Sequence, residues 1–372
     1  MKRLFIIAAI SGVALAGCTK NEVVPSASEQ QEITFANPVS HVVTKVDLVP
    51  TTYPTTSSFS VFADYHKLAY NTVGVTYTPY MRGSEGVDVT HSTEVIGTAP
   101  DPVYNSYWTS SKPYYWPKDG YLTFAAYSPA STKGDAAITY DITNGVKITG
   151  YVVKTDRTNQ RDLMLSNREV DETSAKMVTN NPDPYDGVQL TFNHVLSAID
   201  FTVKTADDYA ADNYTITLTS ITIQNAFTTG TLTQFADAAT VNIDLTAIWS
   251  DQQTEGNYVV PNISDKVITS VETAITPDAN IADLVLLPQR LAHTETGESG
   301  NKVQAVVAYT VSHPDMGTGV SVPYTASLDL SGVTGGKWEA GTRYTYNISI
   351  GMDKVIFAPV VTGWADGGSV DL

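Results

Sequence analysis

The sequence predicts an all-β protein of two tandem β-sandwich domains, and three observations carry that prediction. Apolar residues alternate with Thr, Ser and Tyr in segment after segment, the period-2 pattern of a half-buried strand. Examples are 33-ITF-35, 59-FSVFADY-65, 121-YLTFAAY-127, 188-VQLTF-192, 199-IDFTVKT-205, 214-YTITLTSITI-223 and 303-VQAVVAYTV-311. The charged fraction is only 16%, and Thr, Ser, Asn and Tyr stand where charges are missing, a composition suited to pleated surfaces. Eighteen Pro and 25 Gly lie scattered between the alternating segments, as many short connections require. Helical periodicity is weak, and 194-HVLSAI-199 is expected to form a turn or two at most. A chain of 372 residues is long enough to bury two cores.

Taken in order, residues 1–17 have the layout of a signal peptide: a positive Met1-Lys2-Arg3 start, then an apolar run from Leu4 to Leu15 that is too short to span a membrane comfortably. The small-residue end, 15-LAGC-18, resembles the lipobox of bacterial lipoproteins. That resemblance implies cleavage before Cys18, diacylation of its thiol and acylation of the new amine. Cys18 is the sole cysteine, so no internal disulfide can form. Residues 18–32 are polar and without periodicity, a tether between lipid and folded body.

An N-terminal sandwich is expected over 33–185 and a C-terminal one over 186–372, because 166–187 is charged, rich in Asn and Pro, and poor in apolar residues. Within the first, 138-ITYDITNGVKITGYV-152 reads as a hairpin, with Asn144-Gly145 supplying the positive-φ turn positions. In 114-YYWPKDGYLTFAAYSP-129, Pro117 to Gly120 form a turn. Behind that turn, Leu122, Phe124 and Ala126 share a core face, and Tyr121, Thr123, Ala125 and Tyr127 share the other. Trp116 is expected to close the end of that core, its indole N–H on a loop carbonyl or water. Near the C-terminus, 355-VIFAPVV-361 is apolar throughout and calls for burial on both faces, with Pro359 at an edge or bulge. Within 354–364, Val355, Phe357 and Val361 are the set that would fill an apolar groove, in the chain's own domain or, as the family resemblance given below implies for a donor strand, in a neighbour's.

A formal charge of −17, with no basic stripe after the first three residues, argues against non-specific binding to nucleic acid or anionic lipid surfaces, and no nucleic-acid partner is expected. The six histidines show no metal-ligand spacing and no cysteine is available to help them, so no metal is expected. A loop such as 183-DPYDG-187 lacks the full ligand set for Ca²⁺. Neither a GxSxG elbow, a P-loop nor a GxGxxG occurs, and the acidic pairs Asp171-Glu172, Asp183…Asp186 and Asp207-Asp208 read as solvated loops rather than paired catalytic carboxylates. No catalytic residue is assigned, and no cofactor beyond the covalent lipid on Cys18.

An ordered set of stretches resembles the fimbrillin family of Bacteroidetes lipoproteins, including its fimbrillin-like branch. After the lipobox come 33-ITF-35, 44-TKV-46, 59-FSVFADY-65, 116-WPKDGYLTFAAYSP-129, 162-DLMLS-166, 190-LTFNHVLSAIDFTVK-204, 284-LVLLPQ-289, 338-WEAGTRYTYNISI-350 and 355-VIFAPVVTGW-364. The resemblance covers nearly the whole chain; each stretch is loose, and the order is what makes it specific. It implies transthyretin-like domains, lipoprotein-processing enzymes as partners, an outer-membrane lipid anchor at the cell surface, and assembly with other fimbrillin subunits into type V fimbriae. It also implies that a trypsin-like protease removes the first strand, with Ile33 and Phe35, by cutting between Lys45 and Val46. Family members often carry Arg at that step; the next basic choice here is Arg82, much deeper in the chain. Uncut, the protein would stay a fimbrial anchor or a stand-alone surface lipoprotein that binds a host or bacterial receptor or glycan. The rings for sugar stacking would then be Trp108, Trp249, Trp338 and Trp364.

Overall fold

The computed structural model describes residues 31–41, 51–96, 103–177, 187–246, 248–276, 282–332, 334–352 and 355–363. No α-helix occurs among them; strands are joined by turns and short 3-10 segments. The first strands are β1 (Val39–His41), β2 (Thr51–Thr52), β3 (Ser58–His66), β4 (Thr78–Met81), β5 (Val87–Ile96), β6 (Val103–Ser110) and β7 (Tyr121–Ser128). Next come β8 (Ala137–Asp141), β9 (Gly145–Val152), β10 (Met164–Ser166), β11 (Glu169–Glu172), β12 (Thr191–His194), β13 (Ser197–Thr205) and β14 (Thr215–Thr233). The last are β15 (Trp249–Val259), β16 (Lys266–Ile268), β17 (Thr273–Ala274), β18 (Leu284–Leu286), β19 (Gln304–Ser312), β20 (Val322–Asp329), β21 (Thr342–Ile350) and β22 (Val355–Gly363).

The strands form three sheets. The first runs β2-β1-β12-β10-β7-β3-β5-β6, with β11 on β7 and β4 on β3. The second runs β17-β13-β21-β22, with β18 on β13, and the third runs β20-β19-β14-β9-β8, with β15 and β16 on β14. One core, around Phe35, Phe59, Trp108, Phe124 and Phe192, fills the first sheet. A larger core lies between the other two sheets and reaches back to the outer side of the first.

Pairing crosses residue 185 in both directions. β12, after it, pairs in parallel with β1 and antiparallel with β10. The β8–β9 hairpin, before it, joins the third sheet through β14. Alternation in 138–152 announces a hairpin but is silent on which sheet receives it. The turn also differs from the Asn-Gly form: Asp141 pairs with Gly145 across three residues, and of Asn144 and Gly145 only Gly145 has positive φ, +70°. The Asp141 carboxylate accepts the N–H groups of Thr143 and Asn144, which stabilises a turn followed by a glycine bulge.

β7 places Leu122, Phe124 and Ala126 in the first core, as its alternation predicts. Its other face is not a solvated Tyr/Thr face. Thr123, Ala125 and Tyr127 are fully buried, and Tyr127 belongs to the larger core with Phe62. Phe62 in turn stacks on Tyr140 of the hairpin at 4.6 Å between centroids. Tyr is amphipathic enough to be read as a surface residue when its hydroxyl has a buried acceptor, here the Glu85 carbonyl at 2.7 Å. The stretch 194–199 makes no helical turn; Val195 and Leu196 form the corner by which the chain passes from β12 in the first sheet to β13 in the second.

Candidate assembly site

Residues 31–41 close the first sheet on itself. On one side the Ile33 N–H donates to Tyr114 O at 2.7 Å and the Phe35 N–H to Trp108 O at 2.8 Å, while the Trp116 N–H donates to Gln31 O at 2.9 Å. On the other side the Val188 N–H donates to Thr34 O at 2.9 Å, the Ala36 N–H to Val188 O at 3.0 Å and the Val39 N–H to Leu190 O at 3.1 Å. The segment thus runs antiparallel to 108–116 and parallel to 187–194, with both backbone edges used.

Its alternation fixes what it buries. Ile33 and Phe35 are 1% and 0% exposed, and the Phe35 ring meets Phe59 and Phe124 edge-on at 5.6 and 5.8 Å. Asn37 accepts the Trp108 indole N–H on its side-chain oxygen at 3.2 Å, and its carbonyl accepts from Gln189 Nε2 at 2.8 Å. Gly187, at φ +146°, permits the close approach: a Cβ there would lie 2.4 Å from the Thr34 carbonyl carbon. Strand alternation found Ile33 and Phe35; it did not find Gly187, Asn37 or Gln189, whose sole sequence signal is a glycine placed just before 188-VQLTF-192.

At the other end of the chain, β22 is bonded on one side only, antiparallel to β21. Val355 pairs with Ile350 and packs partly on the larger core, Phe357 pairs with Ile348, and Val361 pairs with Tyr344. Ile356, Val360 and Val361 are 50%, 49% and 50% exposed. Burial on both faces, expected from the uninterrupted apolar run, is therefore not what this strand has; no further strand lies outside it among the described residues. Cys18, Lys45 and Val46 lie outside the described residues, as do Asp183, Asp186 and Trp364.

Arg82 is held rather than presented. Its Nη2 is 2.6 Å from Oδ1 of Asp64, a carboxylate that is 1% exposed, and its guanidinium lies 4.4 Å above the Tyr140 ring. A protease cutting after Arg82 would have to extract it from that pair. The sugar-stacking rings fare differently too. Trp108 and Trp338 are core residues, with N–H groups on Asn37 and on the Tyr346 hydroxyl, and cannot offer a face to a sugar. Trp249 is half-buried and donates to Val195 O at 2.6 Å. Trp116 does close the end of the first core, but its indole N–H points at the Met177 sulfur, 3.0 Å away, instead of a carbonyl or water.

The described start of the charged stretch before residue 187 is also built in, not solvated, at Arg168 and Glu169. β11 pairs with β7, and burial, with the Glu172 charge beside it, pushes the Glu169 carboxyl up to about 7. Arg168 is buried with its guanidinium 4.0 Å from the Phe235 ring, donating to the Ala238 and Thr143 carbonyls. Of the histidines, His66 is buried, with Nδ1–H donating to Leu68 O at 2.7 Å and Nε2 2.8 Å from the Thr123 hydroxyl. Among the described residues no group of His, Cys, Asp or Glu is placed to hold a metal.

In fold the chain is similar to a fimbrial protein from Bacteroides vulgatus, at 18% identity and a TM-score of 0.49 over 90% of this chain and 100% of that one. It is likewise similar to a putative cell adhesion protein from Bacteroides uniformis, at 16% identity and a TM-score of 0.45 over 91% and 100%. No curated protein sequence matches it. A family profile described as fimbrillin-like matches residues 71–364, most of the chain, and on that match the chain belongs to the fimbrillin-like family.

Proposed function

We propose that this protein is a structural and adhesive subunit of a type V fimbrium on the bacterial outer surface. It is exported as a lipoprotein acylated on Cys18 and trimmed between Lys45 and Val46 by a trypsin-like protease. It then polymerises when a strand of a neighbouring subunit fills the groove left by residues 31–41. Membership of the fimbrillin-like family supports a fimbrial or adhesin-like surface protein that associates with other fimbrial subunits.

One observation carries the assembly step: the N-terminal segment is the closing strand of its sheet, bonded on both edges and buried at Ile33 and Phe35. Its removal would strand two rows of backbone groups and open an apolar slot. Each buried backbone group left unpaired costs about 1–3 kcal/mol, and each large apolar side chain withdrawn forfeits roughly 1.5–3 kcal/mol. A trimmed subunit is therefore left needing an extended, apolar-alternating strand from elsewhere. The Arg82–Asp64 pair favours the shallow cut over the deep one. Burial of Trp108 and Trp338 weighs against a stand-alone sugar-binding role.

N-terminal sequencing of the surface-exposed form tests the processing: Val46 as first residue is expected, and Cys18 would mean an anchored, unprocessed protein. Limited trypsin digestion of the purified chain is expected to yield heat-sensitive ladders on SDS gels. A trimmed chain that stays strictly monomeric would sink the polymerising reading.

A further inference from the structure

β15 departs from regular alternation near its start. Ser250 pairs with Thr231 of β14 and Gln253 with Thr229, so Asp251 and Gln252 together stand opposite Gly230 alone. That is a β-bulge, and Asp251 sits in it at φ +52°, a conformation uncommon outside glycine. In an unbroken strand the side chains of residues 249 and 252 would point to opposite faces. With the extra residue, both line one cavity of about 160 Å³, together with Leu245, Arg290, Lys337 and Glu339. We propose that this cavity binds one neutral hexose unit of a glycan, with the Trp249 ring as its platform. The proposal rests on the adhesive reading above and adds the site and the ligand class.

The platform is fixed before any ligand arrives. The Trp249 indole N–H donates to Val195 O at 2.6 Å, and Tyr151 packs against the ring at 5.9 Å between centroids. Gly230 lets the ring lie close on β14, since a Cβ there would come within 3.1 Å of Trp249 Cε3. The ring thus has its polar edge satisfied and its position set, yet stays half-buried and lines the cavity. A held aromatic surface of this kind takes the C–H face of a pyranose at little entropic cost.

Size and charge select the ligand. The cavity is smaller than the roughly 300–1,000 Å³ of a site for a drug-sized molecule and suits a single ring. The Arg290 guanidinium bonds Glu295 and Glu298, and Lys337 Nζ is 2.7 Å from Glu339 Oε1. Two cations are thereby matched by three carboxylates, so a carboxylated or sulfated sugar gains nothing from charge. Hydroxyl groups, which both donate and accept, suit such paired side chains better. Gln252 adds an acceptor: its Nε2 donates to Pro288 O, and its Oε1 has no partner among the described residues. Glu339 is pinned through its backbone, its N–H donating to the Tyr344 hydroxyl and its carbonyl accepting from Ser197 Oγ, each at 2.8 Å.

Saturation-transfer NMR on the full-length chain tests the site. The probes are the methyl glycosides of glucose, galactose, mannose and N-acetylglucosamine, with glucuronate and sialic acid as acidic controls. Transfer to at least one neutral glycoside is expected, and none to the acids. Trp249→Ala should weaken that binding at least tenfold. Gln252→Leu leaves the seat of the ring intact and should weaken it at least threefold, so the test stands even where Trp249→Ala does not fold; a melting curve reports folding of each variant. Silence from every neutral glycoside, stronger transfer to an acid, or unchanged binding in the folded variants would overturn the site. Chains that assemble after trimming yet bind no sugar would lose this site and keep the fimbrial reading. Chains that bind sugar yet stay monomeric would keep the site and lose polymerisation.

Discussion

Residues 31–41 and 355–363 are two extended segments of similar sequence in opposite situations. The first has a bonded neighbour on each side and seals Ile33 and Phe35 completely; the second has one neighbour and leaves three branched aliphatic side chains half in water. Strand sequence therefore sets which face is apolar, and the number of neighbours sets whether that face is buried.

The contrast is broken most severely at Phe35. Phe35→Ala removes a fully buried ring from the centre of an aromatic cluster and should destabilise the untrimmed chain by about 3–5 kcal/mol. Val361→Ala, at a half-exposed edge position, should cost less than about 1 kcal/mol. Denaturant titration of both variants checks the pair; equal losses would mean that β22 is as integral to the fold as the closing strand.

Gly187→Ala sharpens the comparison from the groove side. The added Cβ would sit 2.4 Å from the Thr34 carbonyl carbon at a φ that L residues rarely adopt. A loss of about 1–3 kcal/mol is expected, located in the seat of residues 33–36 and not in the core beneath. Hydrogen exchange should show the Ile33, Phe35 and Ala36 amides opening first. Unchanged protection there would argue that the strand is held by its side chains alone.

How much of this was legible in the sequence differs by feature. Alternation identified 33-ITF-35 and 355-VIFAPVV-361 and gave the core face of β7, because a period of two is local information. Partner choice is not local. Nothing in 138–152 says that the hairpin crosses to the third sheet, and nothing in 188–205 says that the chain changes sheets at Val195-Leu196. Trp108 sits in the polar run 103-VYNSYWTS-110 and reads as exposed; it is buried because residues 31–41 lie across it. Likewise the charges of 166–187 resemble a linker, yet Arg168 and Glu169 are enclosed by Phe235 and β7, residues distant in the chain.

Glu169 carries an effect that depends on pH, at a position beside the groove wall. The carboxyl lies beside the backbone of Thr191, the residue that pairs with Val39 in the closing strand. Burial is the main cause holding this carboxyl at about 7, the Glu172 charge adds to it, and Lys176 opposes it. Because the folded value lies above the unfolded one, the folded state binds more protons between about pH 4.5 and 7. Stability from this group is therefore full below about pH 4.5 and is lost as pH rises through 7, a change on the order of 3 kcal/mol. Glu169→Gln is nearly isosteric and removes the ionisation. Its melting temperature should match the parent at pH 4.5 and exceed it by a few degrees at pH 8. An advantage of the same size at both pH values would show that the carboxyl does not ionise against its burial. A deficit at pH 8 would show that the charge is held there by partners stronger than Thr191 and Lys176.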